Sequence, residues 1–307
     1  MTIPYFQAQA PTKVLDKRIL KQRVHQRLSA EDVLRRIFMI LIAFWLLLFL
    51  LYPLMRTFAR SVQDQRGHYI GLANYQTYFS SPTLSASLHH SLYIAIMSAV
   101  ITVALAFIYA YALTRTTIRG KPVFQSVAML PIFVPSLVQA LAFIYMFGNN
   151  GIVTRYLGIN IGLYGPVGII LSEVFYAFPH ALIILIAALL TADARLYEAA
   201  DALGASSLRT FLTVTIPIVK YGLLSALFVS FTLAITDFGA PKVVGGNYDV
   251  LATDIYNKVI GQQDFSMGAT ISTFLLLPAL IAFVLDRIVQ RRQVSAVTAN
   301  ITPLGAR

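Results

Sequence analysis

Residues 194–217 read ARLYEAADALGASSLRTFLTVTIP, a tightly patterned amphipathic interruption between two long hydrophobic runs. Leu196, Ala200 and Leu203 recur at i, i+4 and i+7, which gives a helix one apolar side. Glu198 and Asp201, three apart, fall on another side. Gly204 follows the last periodic residue, where a helix commonly ends in a left-handed residue. Ser206 or Ser207 then suits the N-cap of a second short helix through Arg209 to Leu212. Thr215 and Pro217 fit the start of a third, because proline is tolerated in a first helical turn. The spacing predicts a short helix projected from a larger body.

The larger body is set by composition. The chain has 307 residues, 57% of them hydrophobic and 12% charged, and a mean hydropathy of +0.70. A soluble domain carries about 25% charged residues, so this composition belongs in a membrane. Six hydrophobic spans are expected, at 37–55, 91–113, 123–147, 167–190, 221–240 and 267–285. Each approaches or exceeds the roughly 20 residues that cross a bilayer as a helix. Pro131 and Pro135 break the third span, Pro179 kinks the fourth, and Pro278 lies in the sixth. A basic N-terminal tail (1–36), a six-span region (37–290) with an intervening loop (191–218), and a C-terminal tail (291–307) complete the expected organisation. Within the first tail, Leu15–Leu34 reads either as an amphipathic helix on the membrane surface or as a solvated segment that fixes orientation. A signal peptide is not expected, because the basic region is too long and no small-residue cleavage site follows Met55.

The net charge of +11 fits nucleic acid less well than it fits topology. With the N-terminus inside, eighteen of the 24 lysines and arginines fall on inside segments, among them Arg115, Arg119, Arg195, Arg209 and Lys220. That bias predicts both termini, and residues 194–217, on the cytoplasmic side. Cysteine is absent, so no disulfide or thiolate metal site is available.

No catalytic arrangement is legible. His89-His90 lacks further ligands at metal-binding spacing, and no GxxxxGK[ST] loop occurs. ATP-driven work therefore requires a separate subunit, and neither cofactor nor metal is expected. Intramembrane polar groups are costly and point to function. Glu173, inside the fourth span, either lines a solute path or is hydrogen-bonded within a helix interface. Asp237, closing the fifth, is either an interfacial cap or a contact to a cationic group or a delivery protein. His180, beside Pro179, is expected to satisfy the carbonyl freed by the kink. Gln139, Ser230 and Thr232 are expected to join helices. Residues 148–166 read as a turn-rich cap, and Asp254–Ile260 as a short helix in the connection 239–266.

The run Glu198-Ala199-Ala200, then Gly204, then Val214-Thr215-Ile216-Pro217 resembles the EAA loop of ABC importer permeases. The family's closing Ile-x-Leu-Pro stands here as Val-x-Ile-Pro, one aliphatic for another. Gly71-Leu72-Ala73-Asn74-Tyr75 resembles the GLxNY segment that precedes the family's second span. The likeness extends over roughly residues 70 to 290. It implies an all-α type I (MetI-like) permease fold of six transmembrane helices, in a bacterial inner membrane. It also implies that residues 194–203 are a coupling helix docking into a cytoplasmic ATPase. Glu198, Ala199, Ala200, Leu203, Gly204 and Pro217 are then the coupling residues, with Ala199, Ala200 and Leu203 as anchor and Glu198 capping the helix start. Two ATP-binding subunits, a second permease, a periplasmic solute-binding protein and lipid are the implied partners, and nucleic acid is not. Residues 236–246, TDFGAPKVVGG, with 251–269, LATDIYNKVIGQQDFSMGA, look most like 2-aminoethylphosphonate permeases. Ferric-iron, sulfate and polyamine permeases share parts of them. An amine-bearing anion would suit Asp237 and Lys242 together. The alternative of another class is an ATP-independent channel or scaffold.

Overall fold

A computed structural model describes residues 30–192 and 194–300, with side chains over 31–192 and 195–291. Most of the expected tail, and most of Leu15–Leu34, lies outside the described residues. The chain divides into two units, 1–54 and 55–307. The first holds α1 (Ala30–Leu46) and a π turn (Leu47–Leu51). Trp45 and Phe49 lie one turn apart there, with ring centroids 4.2 Å from each other. From α2 (Tyr52–Ser61) onward the described residues are again helical. The order is α3 (Ala73–Ser80), α4 (Pro82–Arg115), α5 (Lys121–Met129), a 3-10 turn (Leu130–Phe133), α6 (Ser136–Phe147) and α7 (Ile152–Leu157). Then come α8 (Pro166–Leu190), α9 (Ala194–Ala202), α10 (Ser207–Thr210), α11 (Ile216–Thr236), α12 (Gly239–Val244), α13 (Leu251–Tyr256) and α14 (Phe265–Asn300). Among the described residues no strand forms beyond one isolated bridge, Gln63 to Tyr69.

Among the described residues six helical segments are long and apolar enough to cross a membrane, the third of them, Ser136–Leu157, made of α6 and α7 together. The third span departs from a single rod. α6 has 12 residues, about 18 Å of rise, too short for a hydrocarbon core of roughly 30 Å. Pro131 and Pro135 are the cause: each lacks an N–H and disfavours helix at the residue before it. Gln139 repairs part of the break, its Nε2 donating to Pro131 O (2.8 Å) and Val134 O (2.7 Å). Joining helices, its expected role, is therefore not what this amide does. Thr232 likewise bonds its own helix, at Phe228 O. Ser230 Oγ is buried without a partner.

α4, α8, α11 and α14 pack together as the centre of the second unit. Their buried faces are small: Ser87, Ser91, Ala95, Ser98, Ala99, Thr102, Ala106 and Ala110 recur along α4, while Ile96, Val100, Leu105 and Ile108 are exposed. This is the arrangement lipid demands, since burying aliphatic area gains little when tails are as apolar as leucine. Close backbone approach supplies the adhesion instead. A Cβ on Gly222 of α11 would lie 2.4 Å from Ala188 Cβ of α8. Polar ties add to it: Ser225 of α11 donates to Asp286 of α14, whose second oxygen accepts from Gln290 Nε2 at 2.8 Å.

The Gly71–Tyr75 segment acts as a buckle. Gly71 takes φ +62, and Asn74 Nδ2 donates to Ser61 O and Gln63 O, both at 2.9 Å. Tyr75 reaches Ser61 Oγ (2.9 Å) and Thr273 Oγ1 (3.4 Å). The sixth expected span runs on as helix to Asn300, so the helix extends into the segment expected as a C-terminal tail.

Candidate functional site

The interruption after α8 folds as an elbow. α9 ends in three backbone bonds: Leu203 N to Ala199 O (3.1 Å), Gly204 N to Asp201 O (2.9 Å) and Ala205 N to Ala200 O (3.0 Å). Gly204 takes φ +67 with no atom within 4 Å of an added Cβ, so backbone conformation and not crowding selects glycine. Ser206 is the N-cap of the next helix, its Oγ accepting from Arg209 N at 3.4 Å. The second and third expected helices are one continuous helix from Ser207 to Thr236. A π turn, Phe211–Thr215, lies within it, and Ile216 N–H bonds back to Phe211 O. Widening the turn ahead of Pro217 lets the chain carry on despite the missing N–H. Pro217 therefore stands on the stem of the elbow and not at a helix start.

The expected anchor faces solvent. Glu198 and Ala199 are exposed, Ala200 is half-buried, and Leu203 is 87% exposed. Leu208 and Leu212, on the return limb, are also exposed. Glu198 is the fifth residue of α9, which has no acid in its first turn, so it does not cap the helix start as expected. Tyr197, in contrast, turns inward and is half-buried. Its hydroxyl lies 3.1 Å from Thr215 Oγ1, and the Arg115 guanidinium sits 4.4 Å over its ring. Arg115 Nη2 also donates to Leu189 O at 3.0 Å. The sequence marks Arg115 only as an inside cation and does not mark Tyr197; an arginine and a tyrosine 82 positions apart carry no local signal of a contact.

A second group lies nearer the opposite end of the spans. Asp237 ends α11 in an extended conformation. Its Oδ1 accepts from Ser136 Oγ at 2.6 Å, and its Oδ2 accepts from Ala240 N–H at 2.8 Å, capping α12. Gly239 permits this meeting, since a Cβ there would lie 2.5 Å from Ser136 Oγ. Glu173 is fully buried, and its carboxyl lies within electrostatic range of Asp237. Neither Glu173 oxygen meets a hydrogen-bond donor. The structure thus brings together two carboxyl groups that were read separately. It does not bring Lys242 to them: that ammonium sits 4.6 Å over the Tyr256 ring, and no ion pair with Asp237 forms among the described residues. His180 does not close the proline kink through Nδ1, which is buried without a partner; its ring lies 5.9 Å from that of Tyr176.

The connection after α12 is folded inward. His90 Nδ1 lies 2.9 Å from Asp249 O, and its ring stacks on Tyr248 with centroids 3.9 Å apart. Ser91 Oγ accepts from Leu251 N–H at 2.8 Å. Asp254 is buried beside Ser87, Asp249, Lys258 and His90, and burial raises its carboxyl to about 6. The short helix expected over 254–260 begins at Leu251 and passes into a π turn at Asn257.

The sequence matches the family described as "Binding-protein-dependent transport system inner membrane component" over residues 105–295. It is 31% identical over 210 residues to the ferric transport system permease protein FbpB of Actinobacillus pleuropneumoniae, covering 66% of this chain and 30% of that protein. The chain thus spans about a third of the length of the ferric permeases it matches. It is 27% identical to the molybdenum transport system permease protein ModB of Haemophilus influenzae, covering 67% of this chain and 93% of that one. Identity to the spermidine/putrescine transport system permease protein PotC of Escherichia coli is 25%, covering 74% and 82%. Among solved structures, a bacterial alginate ABC transporter in complex with its alginate-bound periplasmic protein aligns with a TM-score of 0.69 at 18% identity. That alignment covers 87% of this chain and 96% of the other, and shows a shared fold. Six membrane-length helices, an elbow between the fourth and fifth, and a family match over more than half its length lead to one conclusion: this chain belongs to the multi-pass inner-membrane components of binding-protein-dependent ABC transport systems.

Proposed function

We propose that the chain is one permease half of an ABC importer for a small amine-bearing anion, 2-aminoethylphosphonate or a related phosphonate. In this reading the elbow faces the cytoplasm and α9 docks on one of two ATP-binding subunits. A second permease completes the pathway, and a periplasmic binding protein delivers solute at the opposite end. Exposed Ala199 and Leu203 support docking, since an apolar helix face left in water suits a groove on a partner. The concentration of Lys and Arg on the elbow side supports the orientation.

One observation carries the solute reading: Glu173 and Asp237 face each other inside the membrane region, and their named neighbours, Ser136, Ala240 and Tyr176, bring no cation. Two carboxyl groups so placed attract a cationic group and repel a bare oxyanion such as sulfate. The relatives' names range over ferric iron, molybdenum and polyamines, so they favour no single solute. The phosphonate rests on the likeness of residues 236–269. Lys242, exposed on α12, is the proposed contact for the anionic end. Uptake of 2-aminoethylphosphonate, putrescine, sulfate and ferric ion is measured for Asp237→Asn, Glu173→Gln and Lys242→Gln, with membrane insertion checked for each. The reading expects at least a tenfold loss of 2-aminoethylphosphonate uptake for Asp237→Asn, about the value of one charge-assisted contact. Unchanged uptake of every solute in all three variants removes it.

A further inference from the structure

We propose that Tyr197 is the positioning residue through which displacement of α9 reaches the membrane spans, with Arg115 and Thr215 as the two jaws that hold it. The inference rests on the reading that α9 docks on an ATPase subunit. Much of α9 lies open: Leu196, Glu198, Ala199, Asp201 and Ala202 are exposed, and Gly204 beyond them is a bare backbone corner. A push delivered through that corner alone would bend it. Tyr197 points the other way. Its ring carries the Arg115 guanidinium at 4.4 Å, from the last residue of α4. That guanidinium in turn holds Leu189 O at 3.0 Å, in the last turn of α8. The Tyr197 hydroxyl meets Thr215 Oγ1 at 3.1 Å, where the π turn passes into α11, and Thr215 is 1% exposed. Tyr197 thus meets the end of α4 and the approach to α11 directly, and the end of α8 through Arg115.

The chemistry suits a strut. A guanidinium is planar and stacks flat on an aromatic ring while its fork still donates to a carbonyl, which an ammonium on a flexible stem does not reproduce. A tyrosine has two side-chain torsions, so clamping it at both ring and hydroxyl leaves little slack. Thr215 adds a site that can yield. π turns carry one more residue per turn than the α-helix around them, and they recur where helices adjust in function. Movement of α9 would therefore be felt at the ends of α4, α8 and α11 together, which is how a local event biases a two-state packing.

The test uses the importer assembled with its ATPase and second permease, and it requires no solute. The chain has no cysteine, so Tyr69→Cys and Tyr156→Cys, both 77% exposed in the parent, carry spin labels at the end away from the elbow. Their separation is measured with and without trapped ATP. Tyr197→Phe, which keeps the stack and loses one hydroxyl, is expected to reduce the ATP-driven population shift about fivefold while ATPase association and hydrolysis persist. Thr215→Val should match it, Thr215→Ser should restore it, and the double variant should be no worse than either single one. Arg115→Lys should fail to substitute for arginine. A full shift in Tyr197→Phe overturns the inference, and so does loss of ATPase association, which would make Tyr197 a docking residue. Leu203→Asp separates the parent reading. If that variant also keeps association and the full shift, or if the parent shows no shift, α9 docking itself fails.

Discussion

Two interruptions of similar length, 191–215 and 237–264, end in opposite places. In the first, Leu203, Leu208 and Leu212 are exposed. In the second, Leu251, Ala252, Thr253 and Asp254 are buried. Both contain short helices, glycines and charged residues, so composition does not separate them. The difference lies in where backbone groups find partners. The elbow closes its own, through the bonds from Leu203, Gly204 and Ala205 back into α9. The inward connection closes many of its own too, as from Gly245 N–H to Pro241 O and Tyr248 N–H to Gly245 O, but adds bonds to its neighbours: Val244 O accepts from Gly165 N–H, and Leu251 N–H donates to Ser91 Oγ, both at 2.8 Å. A segment that satisfies itself can stand clear of the body, whereas one that also bonds its neighbours is held against them.

That contrast can be broken most directly by truncation. Leu251→Ala should cost about 2–5 kcal/mol, the range for a fully buried leucine. Leu203→Ala should stay within about 0.5 kcal/mol, since nothing packs on an exposed side chain. Thermal unfolding of the purified protein reads both, and comparable losses would show that the elbow is as integral as the inward connection.

Acidity sharpens the contrast next. Asp254 titrates at about 6 in the fold, above its ordinary value of 3.8, because burial disfavours its charge. The folded state therefore binds more protons than the unfolded chain between those values. The stability that Asp254 contributes is greatest below about pH 4, declines as pH rises to about 6, and is flat above. The decline is expected to be no more than about 2 kcal/mol once solvent screening is allowed for. Asp254→Asn should remove it, and a pH series of unfolding midpoints that keeps the slope in this variant would assign it elsewhere.

The smallest effect expected is at the corner. Gly204→Ala places a Cβ at φ +67, a cost of about 1–2 kcal/mol for a left-handed residue. Hydrogen exchange should rise over residues 195–212 and stay unchanged over 251–256. A rise in both would mean that the two interruptions are coupled.

Much of this was legible because it is local. Hydrophobic length predicted six spans, Pro131 and Pro135 predicted a broken third one, and the pattern before Gly204 predicted a helix ending in a left-handed residue. The merging of α10 with α11 was not legible, since Pro217 reads as a start signal and only the π turn before it shows that the helix runs through. Glu173 and Asp237 were each visible as polar groups in apolar runs, yet nothing along the chain said that they face each other. Ser136 and Asp286 carry no signal in the sequence, and Arg115 reads there only as one of the inside cations that set topology, because such residues in or beside apolar runs are ordinary.

The amino-acid sequence alone determined how many times the chain crosses the membrane, where it bends, and which short helix stands out between the fourth and fifth spans. These depend on hydrophobic length and turn chemistry, which act within a few residues. The tertiary structure alone decided which polar groups meet: carboxyl with carboxyl at one level, and a tyrosine clamped by an arginine and a threonine at another. Those meetings depend on the rotation and height of each helix against its neighbours. In lipid that register is set by glycine, alanine and serine contacts spread over distant parts of the chain, as where Gly222 rests on Ala188.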